Sequence, residues 1–443
     1  MSMNDFLNRV AQKNPHQPEF MQAVTELAAS IWPEYESRKD LMEHQILDSM
    51  VEPERQLVFR VVWEDDRGEV QVNRGYRIQY NSALGPYKGG MRFHPSVNTS
   101  TLKALGFEQI IKNSLTGLAM GSGKGGSDFD PRGKSDSEIR RFCNSLMTEL
   151  FRHIGPNIDV PSRDLGVGER EIGYMFGAYN RVKNDYTGVF TGRSLQLGGS
   201  PMRTEAAGYG CAYFVQEVLQ KAGYDLEGKK VAISGAGNLA QYAIAKISKL
   251  GGLVVTVSDS TGMVHIPEGM DAEQWDLMVS TINQQRGTVR QFAEAAGFTY
   301  HEGKKAWDVP CDIAIPCADM NEMTLSDAKT LISNGCFCVA EGANMAVTAD
   351  AAAVLKEKGV QMAPSTAAGA GGVAASGFEM SQTSQRLSWN VEEVDRRLME
   401  TMKAIHEKCV EYGSVNGGID YVKGANLAGF FRVAEAMIGR GMD

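Results

Sequence analysis

The sequence predicts an α/β protein of two domains, the second built on a doubly wound parallel sheet. From about Thr204, short apolar runs of buried-strand type alternate with helical stretches, and this alternation is typical of such a sheet. A glycine-rich turn, Gly235-Ala-Gly237, follows the first of these runs. Earlier in the chain, strands and helices do not alternate regularly. We therefore expect an N-terminal α/β domain formed by residues 1–200 and 425–443, and a Rossmann-like domain formed by residues 201–424.

Three local patterns define the N-terminal domain. Apolar residues recur at helical spacing over 20–31 and predict an amphipathic helix. Two runs of strand type within 57–76 flank an Asp-Asp-Arg-Gly turn and predict a hairpin. Ser135 and Glu138 form a capping-box pattern, which predicts that a helix begins just after Ser135.

The second domain is predicted to begin with a helix over 206–222, a strand over 230–234 and a helix over 239–250. Later apolar runs predict strands over 253–258, 311–316, 336–340 and 360–363. A long amphipathic helix, with apolar residues from Val391 to Ile405, then leaves the sheet. We expect the last helix, near 427–437, to pack back on the first domain.

Composition restricts the class of function. Hydrophobic residues make up 43% of the chain and charged residues 22%, which is the ordinary range of a soluble globular protein. The net charge of −9 argues against a nucleic-acid or anionic-membrane partner, because both need positive surface. The charge does not exclude a local basic pocket for a small anion.

The cysteines and the N-terminus indicate a compartment. The seven cysteines are odd in number and scattered, with no CxxC pair, so they predict neither a disulfide framework nor a zinc site, and we expect no metal. The first ten residues are polar and lack the apolar core of a signal peptide, and no run of about 18 apolar residues appears. We expect a cytoplasmic protein with reduced thiols.

Gly235, Gly237 and Ala240 form a G-x-G-x-x-A fingerprint between a strand and a helix. The first glycine permits a tight turn, the second lets the backbone approach a pyrophosphate, and the small third residue lets helix and strand pack closely. The amides at the start of the helix, at Asn238 and Leu239, are expected to hold the phosphates. The turn therefore predicts that the second domain binds a dinucleotide.

The residues alone leave the choice between NAD and NADP open. Asp259 ends the second strand, where an acid usually accepts from the adenosine ribose and favours NAD. The hydroxyls around it, including that of Ser260, are able to donate to a 2′-phosphate. Arg286 and Arg132 would add positive charge if the fold brings them near.

Three lysines carry the densest chemical signal of the first domain. Lys88 precedes Gly-Gly, Lys124 lies in Gly-Ser-Gly-Lys-Gly-Gly, and Lys112 falls between them. Because glycine disfavours helix, we expect the flanked lysines in loops, where a cation sits close to a ligand. A phosphate-binding loop of the G-x-x-x-x-G-K-[ST] kind is excluded, since Leu118 holds its first glycine position and a glycine follows the lysine.

A set of motifs runs in order from about residue 80 to the C-terminus. They include Lys88-Gly-Gly-Met-Arg-Phe-His, Phe107-Glu-Gln, Gly123-Lys-Gly-Gly-Ser-Asp-Phe-Asp-Pro, Asp164-Leu-Gly-Val-Gly, Ala340-Glu-Gly-Ala-Asn-Met, Ser376-Gly-Phe-Glu-Met and Gly424-Ala-Asn. By these motifs the chain resembles the hexameric glutamate dehydrogenases of the Glu/Leu/Phe/Val dehydrogenase superfamily. The resemblance implies a substrate-binding and oligomerisation domain ahead of the dinucleotide domain, a homohexamer, and a cofactor contact at Asn344. The similarity around Asp259 to NADP-using members favours NADP, with NAD as the other possibility.

The resemblance also implies roles for individual residues. Lys88 and Ser376 would hold the distal carboxylate of the substrate, and Lys112 would pair with its α-carboxylate. Lys124 would be the catalytic lysine and Asp164 its proton-transfer partner. A lysine that is crowded by cations and partly desolvated has a lowered pKa, so it is able to act as a base.

Several residues depart from the family pattern. Arg163 and Glu169 stand where the family has glycine, Gly369 replaces an asparagine, Ala207 replaces a threonine and Arg193 replaces a lysine. The arginine next to the catalytic aspartate would either bind an anionic group of the substrate or lower the pKa of that aspartate. Together these changes suggest an altered substrate and nicotinamide pocket.

The expected function is that of an NADP-dependent glutamate dehydrogenase, which reversibly deaminates L-glutamate to 2-oxoglutarate and ammonia. Two alternatives stay open at this point. One is a paralogous amino-acid dehydrogenase with altered specificity for acidic 2-oxo acids. The other is a dinucleotide-binding partner protein of low activity.

Overall fold

The computed structural model describes residues 2–415 and 417–441, which divide into two compact units. The first unit runs to Arg203 and also contains Ala375–Val394 and the chain from Asn426 onward. The second contains Thr204–Ala374 and Asp395–Ala425. Sequence patterns placed the first boundary at residue 200 but assigned 201–424 wholly to the second domain. The segment Ala375–Val394 differs from that assignment, because periodicity does not reveal which core a helix packs on.

The first unit combines helices with one mixed sheet. Its helices are α1 Met3–Lys13, α2 Pro18–Ser37, α3 Lys39–Glu43, α4 Ile46–Met50, α5 Thr99–Leu115, α6 Asp136–Leu150 and α7 Glu169–Lys183. Its strands are β1 Arg55–Glu64, β2 Val70–Asn81, β3 Tyr87–Phe93, β4 Ser122–Ser127 and β5 Asp159–Ser162. A short 3-10 helix spans Leu195–Leu197.

The local patterns of the first domain are confirmed. The predicted helix over 20–31 lies inside α2, and β1 and β2 form the predicted antiparallel hairpin. Ser135 caps α6: its Oγ accepts from the Glu138 amide at 3.1 Å, and the Glu138 carboxylate accepts from the Ser135 amide at 2.8 Å. The sheet order is β1-β2-β4-β3-β5, with β3 parallel to both β4 and β5. The carboxyl ends of β3, β4 and β5 therefore meet at one edge of the sheet.

A buried ion pair joins the strands of this sheet. Arg77 on β2 and Asp159 on β5 are both fully buried, and the Arg77 guanidinium donates to both oxygens of Asp159. Gln79 Nε2 donates to Asp159 Oδ2 at 3.0 Å, and Arg77 NH1 donates to the Gly89 carbonyl of β3 at 3.2 Å. The pair therefore fixes β2, β3 and β5 relative to one another.

The second unit contains the doubly wound sheet. Its helices are α8 Ala206–Lys221, α9 Asn238–Lys249, α10 Ala272–Val279, α11 Val289–Ala296, α12 Leu325–Ser333, α13 Ala349–Glu357 and α14 Ser365–Ala368, with a π-helical turn at Ser280–Gln284 and a 3-10 helix at Ala306–Asp308. Its strands are β6 Lys230–Ile233, β7 Leu253–Val254, β8 Thr256–Asp259, β9 Gly262–His265, β10 Tyr300–Glu302, β11 Ile313–Ile315, β12 Cys338–Ala340 and β13 Gln361–Ala363. The parallel sheet has the order β13-β12-β11-β6-β7. The predicted fold class, two α/β domains with a parallel sheet in the second, is confirmed.

One predicted strand is split. The run 253–258 forms β7, which pairs with β6, and β8, which pairs with β9 in a separate antiparallel sheet. Val255 marks the change of partner: its amide donates to Val231 O at 2.9 Å, and its carbonyl accepts from the Ile266 amide at 2.8 Å. A continuous apolar run does not reveal such a change, because both sheets bury these residues.

The remaining elements lie near the C-terminus. They are the helices α15 Gly371–Gln385, α16 Val391–Gly413 and α17 Tyr421–Gly439 and the short strands β14 Ser414–Val415 and β15 Gly418–Ile419. From Asn426 onward α17 belongs to the first unit, as expected for a final helix that packs back on it. Within the described residues, no helix has both the length and the apolar character needed to cross a membrane.

Candidate active site

The glycine-flanked lysines lie on buried strands, which corrects the expectation that they occupy loops. Lys88 lies on β3 and Lys124 on β4, and these residues are 2% and 4% exposed. Close packing of the strands explains the glycines: a Cβ atom at Gly89 would lie 1.7 Å from the Gly123 carbonyl oxygen. The glycine-rich runs therefore allow two strands, each with one lysine, to approach each other closely.

A carboxylate and two cations meet at the edge of this sheet. Lys124 Nζ lies 2.8 Å from Asp164 Oδ2, and Arg92 Nε donates to the same oxygen at 2.9 Å. The loop that carries Asp164 is held against β3 by its backbone, since the Phe93 amide donates to Leu165 O at 2.9 Å. The sheet and this loop together hold Asp164 between the two cations.

The charges of this cluster shift two pKa values. Burial alone would raise the pKa of Asp164, but the charges of Lys124 and Arg92 outweigh it and hold this pKa well below its usual range. Burial lowers the pKa of Lys124, and the charge of Asp164 opposes that effect only in part. In the ligand-free site Asp164 is therefore a carboxylate, and Lys124 is a weaker acceptor of protons than an exposed lysine.

Lys88 and Arg203 form a second group of cations. Burial, followed by the charges of Arg203 and Arg77, lowers the pKa of Lys88 well below its ordinary value. Burial also lowers the pKa of Arg203 to about 10. Within residues 2–415 and 417–441 neither side chain makes an ion pair, and the buried Nε of Arg203 makes no hydrogen bond.

The nearest counter-charge to these two cations is already engaged. Glu379 on α15 is fully buried, and its carboxylate accepts from the Gly192 amide at 2.8 Å and from Arg193 Nε at 3.2 Å. Its field opposes the lowered pKa of both Lys88 and Arg203 without pairing with either. A buried lysine and a partly buried arginine, neither with an anion of its own, indicate a site for an anionic group of a ligand.

The other predicted substrate residues belong to the same unit. Lys112 lies in the last turn of α5, and Ser376 lies on α15, where it is 2% exposed. Their proposed contacts with substrate stay predictions.

Arg163 does not point its donors at Asp164. Its Nε donates to the Gly192 carbonyl at 2.5 Å, and its NH2 pairs with Glu169 at 3.1 Å. Arg92, rather than Arg163, is the arginine that holds the Asp164 carboxylate and lowers its pKa. The arginine that departs from the family pattern at position 163 therefore contacts Gly192 and Glu169 and makes no direct contact with the Asp164 carboxylate.

The glycine turn of the second unit has the geometry of a dinucleotide site. β6 lies between β7 and β11, the point where the order of the strands reverses and where such sheets bind ligands. Gly235 has φ +84°, which requires glycine, and its amide donates to Ser258 Oγ at 3.0 Å. Gly237 caps α9 with φ −76°, and a Cβ there would meet no atom within 4 Å. Neither backbone conformation nor packing requires glycine at 237, so the space beside it is open to a ligand.

Asp259 is largely committed to its own turn. Its Oδ1 accepts from the Thr261 amide at 2.9 Å, the Thr261 hydroxyl at 2.7 Å and the Tyr300 hydroxyl at 3.2 Å, and its Oδ2 accepts from the Val289 amide at 3.1 Å. Ser260 next to it is exposed. The carboxylate therefore shapes the turn, which leaves little of its capacity for ribose hydroxyls.

The predicted phosphate-binding arginines differ in their surroundings. Arg286 belongs to the second unit, is exposed, and makes no ion pair within the described part of the chain. Arg132 belongs to the first unit, and its guanidinium is held by Asp130 through contacts of 2.8 and 2.9 Å. Asn344 lies in the loop after β12. Their contacts with a cofactor stay predictions.

Sequence reasoning missed two arginines of the site. Arg92 lies inside the Lys88-Gly-Gly-Met-Arg motif, and Arg203 begins the Arg-Thr-Glu-Ala-Ala run. The sequence patterns assign a role to Lys88 in the first run and a family departure to Ala207 in the second, but none to the arginines. A search for cations without acidic neighbours in sequence finds Arg92 but not Arg203, because Glu205 follows Arg203 by two residues.

The described residues include no group of three or more His, Cys, Asp or Glu side chains that would hold a metal ion. All seven cysteines are buried free thiols.

Known proteins resemble the chain over its length. A family model for Glutamate/Leucine/Phenylalanine/Valine dehydrogenase matches residues 198–441, and the model for the Glu/Leu/Phe/Val dehydrogenase dimerisation domain matches residues 53–181. The chain belongs to the Glu/Leu/Phe/Val dehydrogenase family.

Within this family, the chain is similar to several glutamate dehydrogenases over its full length. The NADP-specific glutamate dehydrogenase of Haemophilus influenzae is 54% identical over 100% of this chain and 99% of its own length. The NAD-specific glutamate dehydrogenase of Bacteroides fragilis is 50% identical over 100% of both. The crystal structure of glutamate dehydrogenase from Plasmodium falciparum superposes with a TM-score of 0.97 and 47% identity, covering 99% of this chain and 94% of that one. The resemblance read from the motifs is confirmed.

Replacing Lys88 by methionine tests how much the buried lysine lowers the free energy of unfolding. We expect K88M to stabilise the ligand-free protein by about 1–2 kcal/mol, because it removes a buried cation that lacks a partner, and to abolish binding of dicarboxylic substrate. Since the folded pKa of Lys88 is lowered, the unfolded chain binds more protons between that pKa and the ordinary lysine value. Wild-type stability therefore rises with pH across that window. The advantage of K88M therefore falls as pH rises through that window and vanishes toward pH of about 10.4.

Denaturant titrations of both proteins from pH 7 to pH 10 measure this difference. Lys39→Met, at an exposed lysine that begins α3, is the control and should change stability little at any pH. A K88M protein less stable than wild type at neutral pH would contradict the account.

Proposed function

We propose that this chain reversibly deaminates L-glutamate to 2-oxoglutarate and ammonia with NADP as its cofactor. The observation that carries the proposal is the arrangement of two separate cationic groups in one unit. Lys88 and Arg203 lack a counter-ion, and Lys124 and Arg92 share Asp164. A substrate with one carboxylate at each end and a reacting carbon between them fits two such groups.

Lys88, Arg203 and Ser376 are proposed to bind the distal carboxylate. A guanidinium offers two parallel donors to a carboxylate, and a buried ammonium adds a charge-assisted bond. Binding an anion there would also raise the lowered pKa values of both cations and relieve the cost of burying them. A substrate without a distal carboxylate would leave both cations without an anion, so the site discriminates strongly in favour of acidic substrates.

Lys112 is proposed to pair with the α-carboxylate, and Lys124 and Asp164 to move protons. We propose that the Asp164 carboxylate takes a proton from the substrate ammonium group, because the nitrogen must be neutral before the carbon–nitrogen bond is oxidised. In the ligand-free site the charges of Lys124 and Arg92 hold its pKa low and make it a weak base, so this role requires that substrate binding changes its surroundings. Lys124, whose pKa is lowered, is suited to deprotonate the water that attacks the 2-imino acid, and then to polarise the new carbonyl oxygen in its charged form. NADP, when bound, accepts or supplies the hydride at the α-carbon.

The second unit supplies the proposed cofactor site. The amides at Asn238 and Leu239 begin α9, where phosphates are stabilised by the helix terminus, and the open space at Gly237 lets the pyrophosphate approach. Ser260 and Arg286 are exposed. Ser260 follows Asp259 directly, and Arg286 precedes by three residues Val289, whose amide donates to Asp259. This arrangement favours a 2′-phosphate and hence NADP. The contacts of Asp259 weaken the case for NAD.

Self-association is proposed on the first unit. β1 lies at the edge of its sheet, and Val58, Val62, Val70 and Val72 on β1 and β2 are 43–68% exposed. An exposed edge with an apolar face is a surface that a second copy would cover. Both strands lie within the match to the dimerisation domain. We propose a cytoplasmic homohexamer, and sedimentation of the purified chain tests this: a monomer at micromolar concentration would contradict it.

The altered-pocket alternative loses one of its supports, because Arg163 is paired inside the chain. The low-activity alternative conflicts with Lys88 and Arg203, two retained cations that make no ion pair within the described part of the chain and so cost stability.

The function is tested by following NADPH and NADH oxidation with ammonium and a panel of 2-oxo acids. We expect rapid turnover of 2-oxoglutarate with NADPH, and rates lower by at least about a hundredfold with 2-oxopentanoate, which lacks the distal carboxylate. Preference for another 2-oxo acid would favour the paralogue, and no turnover of any acid would favour the partner protein.

Gly237→Ala tests the dinucleotide turn. Because a Cβ at 237 meets no protein atom, we expect unchanged thermal stability but a Kd for NADPH raised by about tenfold or more, as the methyl group displaces the pyrophosphate. The control is Gly177→Ala on α7, where a Cβ also meets nothing within 4 Å and NADPH affinity should not change. Equal NADPH affinity in G237A and wild type would remove the turn from the cofactor site.

A further inference from the structure

Two residues that depart from the family pattern are partners of each other. Arg163 NH2 lies 3.1 Å from Glu169 Oε2, so the added cation and the added anion form one ion pair. The Arg163 side chain is 19% exposed and that of Glu169 is 52% exposed. A pair this exposed contributes little to stability by itself. Its significance lies in where it holds the arginine.

Arg163 is anchored to a turn that is itself fixed. Its Nε donates to the Gly192 carbonyl at 2.5 Å, while the Gly192 amide donates to Glu379 Oε2 at 2.8 Å. A Cβ at Gly192 would lie 2.7 Å from Arg163 Cγ, so the arginine packs directly on this residue. Glu379 lies on α15, one helical turn after Ser376. The turn at Gly192 therefore connects the loop of Arg163 to the helix of Ser376.

Anchoring Arg163 restrains the next residue, Asp164. Asp164 must stay within 2.8 Å of Lys124 Nζ and 2.9 Å of Arg92 Nε for the charge cluster to exist. A glycine at 163 would leave this loop free to move by the small distances that matter for proton transfer. The Arg163 side chain therefore ties the loop to Gly192 (a tether) at the residue that precedes Asp164.

We propose that Arg163 is a positioning residue that holds Asp164 by docking on the Gly192 carbonyl, and that Glu169 keeps the arginine in that orientation. The proposal rests on the proposed function for its catalytic consequence. It assigns Arg163 no contact with substrate. In this chain the charges of Arg163 and Glu169 compensate each other.

Steady-state kinetics of Arg163→Met, Glu169→Gln and the double variant test the proposal. We expect R163M to lower kcat on the order of tenfold while the KM for 2-oxoglutarate stays within about twofold, because positioning is lost and binding is not. In the wild-type background E169Q should lower kcat by less than R163M does. In the R163M background it should not lower kcat further. Arg163→Lys should resemble R163M, since one ammonium does not reproduce a fork that serves two acceptors.

Asp40→Asn is the matched control for charge removal. Asp40 forms a two-contact ion pair with Arg38 at 2.7 and 2.9 Å on the surface of the same unit, and its loss should leave kcat and KM unchanged. A raised KM with an unchanged kcat in R163M would mean that the arginine binds substrate, and the proposal would be wrong. Unchanged kinetics in R163M would equally overturn it.

Hydrogen exchange separates this proposal from the proposed function. The backbone amides of 164–169 and 192–194 should exchange faster in R163M than in wild type, whatever reaction the chain catalyses. Wild-type protein inactive with every 2-oxo acid would defeat the proposed function alone. Unchanged exchange in both segments would defeat the tether.

Discussion

Lys88 is buried without an anion, and the rest of the first unit is arranged around that constraint. A buried cation is tolerated only if the structure supplies partners or accepts a lowered pKa, and here the second applies. The carboxylate nearest to it, Glu379, is already bound to Gly192 and Arg193. The fold therefore leaves Lys88 without a counter-ion, and this lowers the stability of the empty site. In the function that we propose, a substrate carboxylate supplies the missing anion and gains binding energy from it.

A buried lysine without a counter-ion must be held in place, and the paired strands of the sheet hold it. The Arg77–Asp159 pair, fully buried, links β2 to β5 and reaches the Gly89 carbonyl on β3. Close approach of β3 and β4 through Gly89 then leaves the lysines on neighbouring strands. Because strand pairing fixes their spacing, neither lysine is able to move away from the positive charge of the other groups. Such preorganisation is what makes electrostatic catalysis effective.

The sequence predicted the larger features because each has its own local signal. The capping box at Ser135, the hairpin before residue 80 and the turn at Gly235 were read without tertiary information. Long-range pairings carry no such signal. The sequence therefore did not reveal that Arg203 lies close enough to Lys88 to lower its pKa, that Arg163 turns toward Gly192, or that the strand after residue 253 changes partner at Val255. Glycine around the lysines indicated a special backbone, but only the structure shows that the reason is strand approach.

Proton uptake on substrate binding tests the central claim most directly. If the Lys88 pKa is lowered in the empty site and restored by a distal carboxylate, 2-oxoglutarate bound with NADPH in the absence of ammonium must bring protons with it. Calorimetric titrations in two buffers of different ionisation enthalpy, between about pH 7 and about pH 9, measure that number. We predict net uptake in this range that disappears in K88M. Binding of 2-oxoglutarate without proton uptake at any of these pH values would contradict a site built on cations held without a partner.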